Sequence, residues 1–187
     1  MSIQTLHIEG IVEGVLFKNE KNGYAVLELD SGGELITVVG EIGDVDEGEQ
    51  LILEGSYINH PRFGTQFQAQ YCERKLPADS INIQKYLSSG AIKGIGPSLA
   101  RKIVDVFGAQ TLEIMEKEPT RLLEIRGISE QKCENIAAEV KEIFALRSIM
   151  TFLSQYGIRS KYAMRVYKKY GSGGRDMICA NPYLLCS

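Results

Sequence analysis

The chain has 187 residues, 44% hydrophobic and 24% charged, with a formal net charge of −3, an ordinary globular composition with room for one large or two small domains. No run approaches the ~20 apolar residues of a membrane span, and Met1–Glu9 lacks the basic and apolar regions of a secretory leader. Cys72, Cys133, Cys179 and Cys186 form no CxxC pair, so disulfide scaffolds, zinc ribbons and redox dithiols are excluded along with membrane and secreted folds, and a reduced cytoplasm is the expected setting.

Residues 6–76 alternate apolar and polar positions with glycine punctuation, the pattern of half-buried strands. Strands are expected near 6–18, 23–29, 34–40, 50–58 and 65–75. Gly10 and Gly14 mark where the first one bends. Asn22-Gly23 and Asp30-Ser31-Gly32-Gly33 are turns. Five short strands in this span predict an OB-like barrel, with an SH3-like barrel as the alternative. Pro77 cannot extend a central strand, and Asp79 or Ser80 can cap a helix. From there the apolar period is helical, as in Leu99, Ile103, Val106 and Phe107. The fold class is therefore α+β: a five-stranded barrel over 1–78, then an all-α part divided into 79–144 and 145–187.

Charge divides at the same place. Residues 1–80 hold 5 basic and 14 acidic side chains, a balance of −9, whereas residues 81–187 hold 16 and 10, a balance of +6. Residues 145–175 carry Arg147, Arg159, Lys161, Arg165, Lys168, Lys169 and Arg175 with no acid among them. Such a segment attracts polyanions, unless it is simply a solvated face.

The helical part repeats itself. Ile92-Lys93-Gly94-Ile95-Gly96-Pro97-Ser98, with Ala100 and Ile103, returns further along the chain as Ile125-Arg126-Gly127-Ile128-Ser129, with Cys133 and Ile136. A third copy reads Gly157-Ile158-Arg159, then Ala163 and Val166. Each copy reads as helix, tight turn, helix, and resembles the helix-hairpin-helix motif. A turn glycine permits positive φ and keeps side chains off the surface. The next helix then offers its unpartnered first N–H groups and positive dipole end to an anion. The alternative is a plain helical hairpin closed by a glycine cap. In the first copy the candidate phosphate contacts are Lys93, Gly94, Ile95, Gly96, Ser98, Arg101 and Lys102. The second offers Arg126, Gly127, Ser129 and Lys132, in acidic surroundings that suit a structural partner of the first. The third offers Gly157, Arg159, Ser160, Lys161, Arg165, Lys168 and Lys169. Phe152, Tyr156, Tyr162, Tyr167 and Tyr170 are expected in the core, with base-stacking platforms as the alternative. In the barrel, Tyr24, Tyr57, Phe63 and Phe67 are possible stacking platforms, and His60 and Arg62 either contact a ligand or shape their turn.

Asn22-Gly23-Tyr24-Ala25-Val26-Leu27, His60-Pro61-Arg62-Phe63-Gly64-Thr65-Gln66-Phe67 and Asn181-Pro182-Tyr183-Leu184-Leu185 stand in this order around the hairpins. With them the chain resembles, over essentially its whole length, the amino-terminal region of RecD-like ATP-dependent DNA helicases. The resemblance implies an OB domain and helix-hairpin-helix repeats ahead of a 5′→3′ motor that uses ATP and magnesium and serves DNA repair and recombination. The sequence contains no Gly-Lys pair and hence no P-loop. The chain is therefore expected to be a fragment without the motor, itself holding no cofactor or metal and doing no catalysis.

The expected function is sequence-independent binding of single-stranded or forked DNA by a monomer, with no membrane contact. The barrel is expected to bind DNA weakly and to suit a protein partner. A Holliday-junction-binding OB/helix-hairpin-helix protein, which would be a symmetric tetramer, and a protein-interaction module are the competing readings. A glycosylase-like enzyme would need a catalytic Asp downstream of a hairpin, and Asp105 falls inside the following helix instead.

Overall fold

The alternation over residues 6–76 folds into a closed five-stranded barrel in the computed structural model, which describes residues 4–158, 161–181 and 183. The strands are β1 (Leu6–Lys18), β2 (Tyr24–Ser31), β3 (Glu34–Glu41), β4 (Gln50–His60) and β5 (Gly64–Lys75). They run round the barrel as β1-β2-β3-β5-β4, closing on β1. All pairs are antiparallel except β3 with β5, where Val38 and Val39 lie beside Phe67 and Gln68. β1 reaches both β2 and β4 because it bends, with register shifts between Val12 and Gly14 and between Val15 and Phe17. Gly10 does more than bend the strand: a Cβ there would stand 2.3 Å from the Asp30 carbonyl oxygen. The β2–β3 hairpin turns on Gly32 and Gly33, both at positive φ, with the Asp30 carboxylate accepting the Gly33 N–H at 2.7 Å. Val12, Leu27, Leu29, Val38, Leu51, Leu53 and Phe67 fill the barrel and are fully buried. Phe67 is thus core, not a stacking platform.

The helical part begins at Asp79, whose carboxylate accepts the Asn82 N–H at 2.9 Å as the N-cap of α1 (Ser80–Ser88). Then come α2 (Pro97–Phe107), α3 (Thr111–Lys117), a 3-10 turn over Pro119–Glu124, and α4 (Glu130–Ser154). The chain continues through α5 (Lys161–Tyr170) and α6 (Gly174–Ala180). One apolar cluster gathers α1, α2, α3 and the first half of α4 around Leu87, Ile103, Met115, Leu122 and Ile136. Another joins Ile149 and Leu153 of α4 to Val166 and Ile178. α4 therefore belongs to both clusters, and residue 144, where a boundary is expected from the sequence, lies inside it.

The barrel and the helices meet tightly. Gly48 sits at φ 84° where a Cβ would stand 2.4 Å from the Asn82 carbonyl oxygen. Lys85 pairs with Glu13 at 2.7 Å. Beneath them Glu49 is fully buried. It accepts the Asp46 N–H at 2.6 Å, pairs with Arg74 of β5 at 3.0 Å and also contacts Arg147 of α4. The Arg147 guanidinium lies 5.8 Å from the Tyr86 ring centre. Burial lowers the pKa of Arg147 to about 10 and raises that of Tyr86. Arg147, counted above with the polyanion-attracting segment, is thus committed to holding barrel and helices together.

Candidate nucleic-acid interface

The first hairpin is built by its local sequence. Gly94 holds φ 90°, a conformation that side chains disfavour. Ile95 is 3% exposed and anchors the turn in the core, while its N–H donates to the Ile92 carbonyl at 3.3 Å. Ile95 therefore offers a ligand neither its side chain nor its N–H. Gly96 is the N-cap of α2 at φ −94° and ψ 179°, with Pro97 at the first helical position. Any residue adopts that backbone, and a Cβ on Gly96 would meet no protein atom within 4 Å. Neither strain nor internal crowding accounts for a glycine there. The first intrahelical bond is from Ala100 N–H to the Gly96 carbonyl, at 2.9 Å. Ser98 and Leu99 therefore present N–H groups with no acceptor inside the helix. Lys93, Gly94, Gly96, Ser98, Arg101 and Lys102 are all exposed around this point. Arg101 pairs with Asp105 at 4.0 Å, both of them exposed.

The second hairpin repeats these bonds. Ile128 N–H donates to Ile125 at 3.2 Å, Cys133 N–H donates to Ser129 at 2.8 Å, and Gly127 holds φ 101°. Ile128 and Cys133 are buried, 7% and 6% exposed. The difference lies at Ser129, whose hydroxyl accepts the Lys132 N–H at 3.2 Å. This helix start supplies its own acceptor. Arg126 and Gly127 are exposed and Lys132 is half-buried. Nearby cations are spoken for: Lys117 pairs with Glu113 at 2.8 Å, and Arg121 with Glu118 and Glu124 at 3.5 and 3.3 Å. A Cβ on Gly94 would come within 3.8 Å of the Ile136 side chain, so the two hairpins pack on each other.

The third turn is made differently. Gly157 holds φ 68°, and Ile158 N–H reaches back to the Leu153 carbonyl at 3.0 Å. That is a Schellman-type helix end, with Ile158 packed against the cluster that contains Leu153. Gly157 and Ile158 border a cleft of about 650 Å3 whose opposite wall is β5, through Gln68, Gln70 and Lys75. Arg159 and Ser160 lie outside the described residues. Lys161 opens α5, and Arg165, Lys168 and Lys169 are exposed along it. Arg165 lies over Tyr162 at 5.8 Å and Lys169 over Tyr170 at 5.4 Å. Phe152, Tyr162, Tyr167 and Tyr170 are partly buried against the third cluster. Tyr156, expected in the core, is 68% exposed.

On the barrel, Tyr24, Tyr57 and Phe63 are 36%, 47% and 65% exposed. His60 shapes its turn: Nδ1 accepts the N–H groups of Arg62 and Phe63 at 3.1 and 3.2 Å. Burial pushes the Cys72 thiol up to about 12, which leaves it inert at neutral pH. Among the described residues no His/Cys/Asp/Glu group is arranged to hold a metal, and no helix is long and apolar enough to cross a membrane. Sequence reasoning missed the Glu49–Arg74–Arg147 cluster, which carried no local signal. It also placed Ser129 among the phosphate contacts, although serine before an apolar helical run is a capping signal.

Comparison with known proteins follows this division. Residues 5–77 match the OB-fold domain of the ATP-dependent DNA helicase YrrC. Residues 86–142 match a SAM-like helix-hairpin-helix tandem, and residues 142–187 match the HHH domain of the ATP-dependent RecD2 DNA helicase. The ATP-dependent RecD2 DNA helicase of Deinococcus radiodurans is 23% identical over 183 residues, covering 94% of this chain. The chain spans about a quarter (25%) of the length of that relative. With a barrel, a hairpin tandem and a further helical segment each matched in that order, the chain is similar over nearly its whole length to the OB-fold and helix-hairpin-helix portion of RecD2-type ATP-dependent DNA helicases.

Proposed function

We propose that this chain is the DNA-holding part of a 5′→3′ helicase of DNA repair and recombination, and that it grips phosphates without reading base sequence. The observation that carries this reading is Gly96. It is a glycine at a helix N-cap that needs neither positive φ nor internal space. What the missing side chain leaves open is the approach to the Ser98 and Leu99 N–H groups, where a phosphate fits the helix dipole. Lys93, Arg101 and Lys102 add positive charge around that point, and Arg165, Lys168 and Lys169 extend it along α5. The self-capped second hairpin serves chiefly to hold the first in place. Backbone contacts carry little sequence information, which fits a protein that travels along a single strand or a fork.

ATP and magnesium belong to the motor of the whole helicase, because the Gly-Lys pair that cradles phosphates is not in this sequence. The chain by itself, a cytoplasmic monomer in this reading, neither hydrolyses ATP nor unwinds DNA. Outside residues 55–72, where its acids lie, the barrel repels a phosphate backbone and suits a protein partner.

Fluorescence anisotropy of the chain with labelled single-stranded, duplex and forked DNA tests this. Gly96→Val keeps an allowed backbone yet places bulk over the helix start. It is expected to weaken binding about ten-fold or more, the loss of one charge-assisted contact. The Lys168→Glu/Lys169→Glu variant is expected to weaken it further. Absence of binding even at low salt, or full affinity in both variants, would refute the proposal.

A further inference from the structure

The turn between β4 and β5 carries an exposed planar group that nothing in the fold requires. Phe63 is 65% exposed at its tip. The His60 ring stands beside it, with centres 4.8 Å apart and planes at 34°, and the Arg62 guanidinium lies 5.5 Å from its centre. The turn beneath is rigid, since His60 Nδ1 accepts two backbone N–H groups. That bonding leaves the imidazole proton on Nε2, available to donate. Tyr57, 47% exposed, follows on the same hairpin, edge-on to the buried Phe67 at 5.2 Å.

Charge sets this hairpin apart from the rest of the barrel. Residues 1–80 contain fourteen acids, yet Gly55 to Cys72 contain none, and their one formal charge is Arg62. An exposed aromatic ring, a stacked guanidinium and an N–H donor, in an acid-free stretch of an acidic barrel, match an unpaired nucleobase. The base offers a π-face to stack and acceptors on its edge, and its phosphate meets Arg62 rather than a carboxylate.

We propose that the β4–β5 tip is a base-stacking site for single-stranded DNA, with Phe63 as the platform, Arg62 as a cationic flank and His60 as the positioning residue. It rests on the reading that the chain binds DNA, and adds to the phosphate grip of the hairpins a contact that needs the base itself.

The test uses the whole chain and two labelled strands of equal length: a thymidine oligonucleotide, and an abasic strand with the same phosphates and no bases. Phe63→Ala is expected to weaken binding to the thymidine strand about five- to one-hundred-fold, leaving the abasic strand's affinity unchanged. Phe63→Trp is expected to retain binding to both. Unchanged thymidine affinity in Phe63→Ala, or an equal loss on both strands, overturns the proposal; the first result gives the ring to a protein contact. Gly96→Val keeps the two readings apart: if it loses binding while Phe63→Ala is silent, only the tip proposal fails. If the wild-type chain binds neither strand, both fail.

Discussion

Gly96 and Ser129 stand at equivalent positions of the first two turns and treat the same helix end in opposite ways. At Gly96 the helix start is left open; at Ser129 the hydroxyl fills it. Ser129→Ala is expected to cost about 1 kcal/mol of stability and Ser129→Gly only a few tenths, measured by urea unfolding. Asp79 caps α1, and the Asn82 N–H and side-chain amide hold its carboxyl below the usual carboxylate range. A depressed folded pKa contributes stability that is fully present above the unfolded value near ~4 and is lost as pH falls through the folded value. Asp79→Ala should therefore cost about 1 kcal/mol at neutral pH, and the gap between variant and parent should close in acid. The Asp79 cap was legible because Asp-Ser follows a proline and precedes a helical period. Ser129 was not, because its place in the repeat put it with the phosphate contacts of the first hairpin.

Among the elements, the strands were legible almost to the residue, since alternation and turn glycines are local signals. The closure of the barrel through the parallel β3–β5 pair was not, because it joins segments with β4 between them. The third turn shows a limit of repeat reading. Gly157 matches the spacing of Gly94 and Gly127, yet its hydrogen bond is that of a helix end. Spacing alone does not tell a hairpin turn from a cap, as both need a residue at positive φ. Gly157→Ala should cost about 1 kcal/mol, seen as a lower urea midpoint. Tyr156 is expected in the core together with the other aromatic residues of its segment. The helix ends at that point, and the residue falls outside the period.

Over the whole molecule, charge does two separate jobs. Exposed cations of the helical part face solvent, while Glu49 is buried where barrel and helices meet, with Arg74 and Arg147 half-buried against it. Removing one member of a buried cluster leaves the others unpaired, so Glu49→Ala should cost about 3–5 kcal/mol, read from a fall in the denaturation midpoint. DNA affinity, by contrast, should fall linearly on a log–log plot against salt, with a slope near about −0.7 per phosphate on a single strand. Lys168→Glu/Lys169→Glu should flatten that slope in anisotropy titrations. The composition of residues 145–175 could not separate these jobs, because Arg147 differs from Arg165 only in what the fold places beside it. α4 spans 25 residues, about 37 Å of unbroken helix, with the second hairpin at one end and the Gly157 turn at the other. It works as a calliper of fixed opening: the apolar cluster seated on its first half and the one seated on its second half are held at a single separation, so neither can shift along the helix without the other.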